Sequence, residues 1–128
     1  MIPKFRAWDK ETQTMLDVSL IDFKKSVLVG EHWEFGETIF INFDDIHLMQ
    51  STGLYDKNGK EIFEKDILDY NGRKVIVKWH GSYASFIYEF VDELQNRTTE
   101  WKPLYLSYYH FEIIGNSLEN PELLEVTE

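Results

Sequence analysis

No cysteine occurs in the 128 residues, which excludes disulfides, thiolate metal sites and cysteine nucleophiles together. Only three prolines and seven glycines are present, and no internal repeat, low-complexity tract or flexible linker is visible. No apolar run approaches the ~18 residues that a membrane-spanning helix needs. The first ten residues, MIPKFRAWDK, are charged and strand-like and carry no export signal. The expected location is therefore cytoplasmic, and Asn96-Arg97-Thr98 is a glycosylation sequon by coincidence of letters. Basic residues are also scarce: 13 Lys and Arg stand against 23 Asp and Glu, a net charge of −10. The deficit is uneven, with 5 basic and 9 acidic groups over residues 1–52, 6 and 5 over 53–88, and 2 and 9 over 89–128. Nucleic-acid backbones are bound by neutralising phosphates, so a nucleic-acid partner is not expected. The basic excess around Lys57, Lys60, Lys65, Arg73, Lys74 and Lys78 is interleaved with acids, as a charge-paired sheet face would be.

What the chain has in abundance is aromatic side chains, 16% of the total, an apolar load that suits β-structure. At this length one domain, or a domain with a small satellite, buries roughly two-thirds of its unfolded surface and needs no staple. Phe5-Arg6-Ala7-Trp8 reads as a first strand. Residues 15–23 alternate loosely and read as a second strand, with helix as the rival over 16–25. Val27-Leu28-Val29 is a short apolar run, and residues 38–43 place Ile39, Ile41 and Phe43 on one side. Asp44-Asp45 ends that strand or caps a helical turn over 46–49. Asn58-Gly59 and Asn71-Gly72 are hairpin turns, because Asn and Gly tolerate the positive φ that a tight, correctly twisted turn requires. A type I′ turn at Asn71-Gly72 sets Tyr70 against Arg73, Asp69 against Lys74 and Leu68 against Val75. Leu68, Tyr70, Val75, Val77 and Trp79 then share the core side. Phe86, Tyr88 and Phe90 alternate in a further strand, residues 91–100 read as a loop or a poor helical turn, and 105–114 as strand again. Asn120 as N-cap and Pro121 at the first helical position predict a short C-terminal helix.

Many short strands between turn signals predict a mainly β protein with a small barrel over about 51–115. The expected division is a β-rich N-terminal region at 1–50 and a barrel with a short C-terminal helix at 51–128.

Three segments carry a resemblance: FRAWD at Phe5–Asp9, LMQSTGLYDKNGKEIFEKDI at 48–67, and IIGNSLENPELLE at 113–125. Together, and in this order, they resemble the YopX-like proteins, small proteins of bacteriophages and prophages, mainly of Gram-positive bacteria. The resemblance implies an SH3-like barrel in the C-terminal part, a smaller N-terminal region, a homo-oligomer and residence in a bacterial host cell. It brings no established activity, cofactor or catalytic residue. Its signature positions here are Phe5, Arg6, Trp8, Asp9, Thr52, Gly53, Asp56, Gly59, Glu64, Asp66, Gly115, Asn116, Asn120 and Pro121, all read as structural. One departure is Glu64-Lys65-Asp66, where the family usually has Glu-Gly-Asp. A lysine there predicts that the position does not need positive φ.

Chemistry is thin. His32, His47, His80 and His110 lack the i, i+4 spacing of a helical zinc pair, and His32 with Glu34 reads as a rim pair rather than a metal site. Asp56-Lys57-Asn58-Gly59 fails the ligand spacing of a calcium loop. No Gly-x-Ser-x-Gly elbow or phosphate-binding loop is present. Asp92 with Glu100-Trp101-Lys102 has the lettering of a Mg²⁺ nuclease without a supporting pattern. Glu64 and Asp66 are better read as bracketing a bend than as a catalytic carboxylate pair. No enzyme and no cofactor is expected. Trp8, Trp79, Phe86, Tyr88 and Phe90 are read as core. Tyr105, Tyr108, Tyr109 and Phe111 are too many for one strand face, so some should form an exposed interaction surface. That surface fits a second copy or a host or phage protein. The rival readings are a nucleic-acid-binding barrel and an acidic decoy for a basic host protein.

Overall fold

A computed structural model describes residues 4–94 and 100–125. Eleven strands run in chain order: β1 Phe5–Asp9, β2 Thr14–Asp22, β3 Val27–His32, β4 Thr38–Asn42, β5 Ile46–Tyr55, β6 Glu61–Phe63, β7 Asp66–Tyr70, β8 Arg73–His80, β9 Ser85–Phe90, β10 Trp101–Pro103 and β11 Glu112–Asn116. They hydrogen-bond in the orders β4-β3-β2-β1-β5-β6 and β10-β9-β8-β7-β11. The chain divides into two units, Met1–Ser51 and Thr52–Glu128. The protein is thus mainly β, and among the described residues neither sheet closes on itself. The sequon at 96–98 lies outside the described residues.

In the first unit β2 is a strand throughout, so the helical rival for its second half is excluded. Its bulge between Val18 and Leu20 explains why the alternation looked loose. Ala7, Leu16, Leu28 and Ile46 are buried together, with Val18, Ile39, Ile41, Phe43 and Leu48 packed on them. The segment after β4 is a 3₁₀ turn at Phe43–Asp45, and Ile46 already begins β5.

In the second unit the Asn71-Gly72 turn has positive φ at both residues (53° and 87°). The register is Tyr70↔Arg73, Asp69↔Lys74 and Leu68↔Val75, as the type I′ turn predicts. Ile62, Leu68, Val75, Val77, Tyr88, Leu104 and Phe111 form the core. Two expected core residues at the hairpin ends, Tyr70 and Trp79, are 40% and 47% exposed. Alternation assigned their side of the ribbon, but at its ends each is covered on part of its surface only, Tyr70 by His110 and Phe111 and Trp79 by Phe86.

Two segments differ from expectation. Residues 105–114 are not one strand: 3₁₀ turns at Leu104–Leu106 and Tyr108–His110 precede β11. The inward residues Leu104, Tyr108 and Phe111 follow spacings of four and three, a helical period rather than a strand period. The C-terminal element is a single 3₁₀ turn, Pro121–Leu124, and Asn120 does not cap it through its side chain. That side chain is committed upstream: Asn120 Oδ1 accepts the Asn116 N–H at 3.2 Å.

Lys65 has φ +70°, which overturns the expectation drawn from its being a lysine. Its N–H donates to Val77 O at 2.9 Å and its carbonyl accepts from Ser117 N at 2.9 Å. These long-range bonds hold the left-handed conformation although glycine would adopt it at lower cost.

Candidate functional site

In the second unit the polar signature residues Thr52, Asp56, Asp66, Asn116 and Asn120 bond to the chain's own backbone. Asp56 is buried; its Oδ1 accepts N–H groups of Asn58 and Lys60, both at 2.9 Å, and its Oδ2 accepts that of Ile113 at 3.0 Å. Burial alone would push this carboxyl up, but the bonds from Ile113, Lys60 and Asn58 outweigh it and hold it below the ordinary carboxylate range. Gly59, at φ +81°, closes the loop. Thr52 Oγ1 donates to Ile62 O at 2.7 Å. Asp66 Oδ2 accepts the Phe63 N–H at 2.8 Å, which closes the Glu64-Lys65 turn. Asn116 Oδ1 accepts from Leu118 and Glu119. Gly115 leaves room for Asn120, since a Cβ there would lie 2.5 Å from Asn120 Oδ1.

In the first unit Asp9 Oδ1 accepts the N–H groups of Glu11 and Thr12 at 3.0 and 3.3 Å, and Oδ2 meets His32 Nε2 at 3.0 Å. Burial would raise this carboxyl; bonds from His32 and Thr12, then Glu11, hold it low. An ionised carboxylate only accepts, so Nε2 carries the proton. His32 is therefore buried against Asp9 and not a rim partner of Glu34. Sequence reasoning missed this pair because the residues are 23 positions apart on strands that are not adjacent. Thr12 Oγ1 lies 3.4 Å from the same Nε2. A hydrolytic triad places acid and nucleophile on opposite ring nitrogens. Here both meet Nε2, while Nδ1 is buried without a partner among the described residues. The arrangement locks the β1–β2 turn. A recess lined by Lys25, Ser26, Asn42, Phe43, Asp44 and Asp45 also belongs to this unit, and no group of metal-binding side chains occurs among the described residues.

The four residues expected on an interaction surface divide. Tyr105 and Tyr109 are more than half exposed, joined by Leu106; Tyr108 is half-buried; Phe111 is buried at 1% exposure. Phe111 thus belongs to the core and not to the surface. Rings connect the two: Tyr109 lies tilted against His110 at 4.1 Å, His110 lies 5.8 Å from Tyr70, and Tyr70 meets Phe111 edge-on at 5.5 Å. A second aromatic group, His80, Tyr83 and Trp101, packs ring against ring at 4.8–5.0 Å. Its spacing leaves no room for a cation between the rings.

The basic residues of 53–88 are substantially paired. Arg73 lies over the Phe90 ring at 3.7 Å and donates to Asp92 at 2.9 Å, with Glu93 at 3.7 Å. The Asp92 hydrogen bond raises its guanidinium further above the usual value. Lys78 pairs with Glu89 at 3.0 Å and Lys57 with Glu112 at 3.8 Å. Among the described residues no helix is long and apolar enough to cross a membrane.

Comparison with known proteins agrees with the three signature segments. The family model described as YopX protein matches residues 4–125. The crystal structure of protein EF1440 from Enterococcus faecalis is similar at 33% identity and a TM-score of 0.63, over 98% of this chain and 99% of that one. No curated protein matches.

Proposed function

As the chain belongs to the YopX family, we propose that it is a non-enzymatic accessory protein of a phage or prophage. In this reading it works in the bacterial cytoplasm as a self-associating protein-interaction module. The observation that carries the reading is the division of labour among side chains. The buried acids and amides hold the chain's own backbone, while Tyr105, Leu106 and Tyr109 stand exposed on one pair of 3₁₀ turns. Exposed aromatic and aliphatic groups next to one another are what protein interfaces use. The fold of the second unit is read as a variant of the SH3-type arrangement that the family implies. Ion pairing of Arg73, Lys78 and Lys57 and the net charge of −10 weigh against a nucleic-acid partner.

Capture from lysogenic cells with the wild-type chain and with the Tyr105→Ala/Tyr109→Ala variant tests the interaction. A specific partner held by the first and lost by the second supports the module. Equal capture by both removes this surface from the proposal. Light scattering on the purified chain tests self-association, and filter binding to DNA and RNA at low salt tests the nucleic-acid alternative.

A further inference from the structure

Among the described residues β4 is an edge strand, with β3 as its neighbour in the sheet. Its sequence, Thr38-Ile39-Phe40-Ile41-Asn42, has no charge and no proline, although edges are commonly guarded by lysine, proline or a bulge. The direction of its backbone groups can be derived. Phe43 N–H donates to Ser26 O at 2.9 Å, and His32 N–H to Glu37 O at 3.1 Å. Antiparallel hydrogen-bonded pairs alternate, so Leu28/Ile41 and Gly30/Ile39 are the bonded pairs between β3 and β4. Thr38, Phe40 and Asn42 therefore point their N–H and C=O groups away from β3, along the open edge. On one sheet face Leu20, Val29 and Phe40 form a cross-strand row, and Phe40 is 81% exposed.

We infer that β4 is the seam at which two copies of this chain associate, by antiparallel pairing about a twofold axis centred on Phe40. The occupant follows from self-complementarity. An isologous contact requires each residue i to meet j and j to meet i. With Phe40 opposite Phe40 of the second copy, Thr38 faces Asn42 and Ile39 faces Ile41. All three outward-pointing residues then exchange backbone bonds with an outward-pointing residue. The same register joins the two Leu20–Val29–Phe40 rows into one apolar row. Charge points the same way: on a chain of net −10, copies can meet closely only where neither presents an acid. Glu37 in this register falls opposite Phe43. The seam is small, so the dimer is expected to be weak, with Kd of about 10⁻⁵ M or higher.

This inference rests on the self-association proposed above, and the test separates the two. The chain has no cysteine, so a single one reports the register. Facing residues of a bonded antiparallel pair have Cα atoms about 5.5 Å apart, within disulfide reach. Two Thr38 residues, four positions apart along paired strands, would lie about 14 Å apart, beyond it. Oxidised Phe40→Cys is expected to form a covalent dimer, and Thr38→Cys to remain uncrosslinked. Phe40→Lys, which sets two ammonium groups opposite each other, is expected to weaken dimerisation by about tenfold in sedimentation equilibrium. Crosslinking at both positions or at neither, or an unchanged association constant for Phe40→Lys in an oligomeric chain, overturns the seam and leaves self-association standing. A monomer at millimolar concentration overturns both. Phe40 is exposed, so its replacement leaves the core intact, which the thermal midpoint of each variant verifies.

Discussion

Asp56 and Ile113 are 57 residues apart, yet the Asp56 carboxylate accepts the Ile113 N–H at 3.0 Å while also closing its own loop at Asn58 and Lys60. One buried side chain thereby ties the β5–β6 hairpin to the last strand. Asp56→Ala should cost ~3 kcal/mol in urea denaturation, since it strands three donors that bond to a charged acceptor.

The same carboxylate sets part of the acid response. Its folded value lies below the ordinary 3.8, so its contribution is complete above about pH 5 and is lost as pH falls through the folded value. Asp9 is lowered likewise and contributes in the same direction. Asp56→Asn should lower stability at pH 7 and flatten the decline of the thermal midpoint below about pH 5. An acid limb as steep as that of the wild type would show that other groups dominate it.

Lys65→Gly should stabilise the protein by ~1 kcal/mol, because φ +70° costs a residue with a Cβ and costs glycine almost nothing. That is a rise of about 4 °C in Tm. Lys65→Ala, which keeps the Cβ, should leave Tm nearly unchanged.

Gly115→Ala and Asn120→Ala should not be additive. A Cβ at 115 displaces the Asn120 amide, and with it the bond to Asn116 N–H. Each single change should cost ~1–2 kcal/mol and the pair little more than the larger, measured in a double-mutant cycle.

Phe111→Ala should cost ~3–5 kcal/mol, and Tyr105→Ala or Tyr109→Ala less than ~0.5 kcal/mol each. The contrast between neighbours follows from burial at 1% against more than half exposed. Similar losses at all three would place Phe111 outside the core.

Turns and pairing were readable from the chain. Asn71-Gly72 and Gly59 announce positive φ, and the alternation around them names the register of β7 and β8. Both signals are local: a residue's preference for a dihedral region, and a period of two that fails if the register slips. The candidate surface was half readable. Crowded aromatics at 105–111 showed that some must lie outside, but a strand period was applied to a segment that coils through two 3₁₀ turns, and so Phe111 was grouped with Tyr105 and Tyr109.

Composition, turn chemistry and alternation were enough to establish a mainly β protein, two hairpin turns, most of the strands and the family signature. Three-dimensional packing settled the rest. It placed His32 on Asp9 and committed Asn120 to Asn116, it held Lys65 left-handed between Val77 and Ser117, and it set β4 at the edge of its sheet among the described residues. Each of these depends on groups far apart in the chain. Their free energies come from burial and from hydrogen bonds across that separation, which no local preference records.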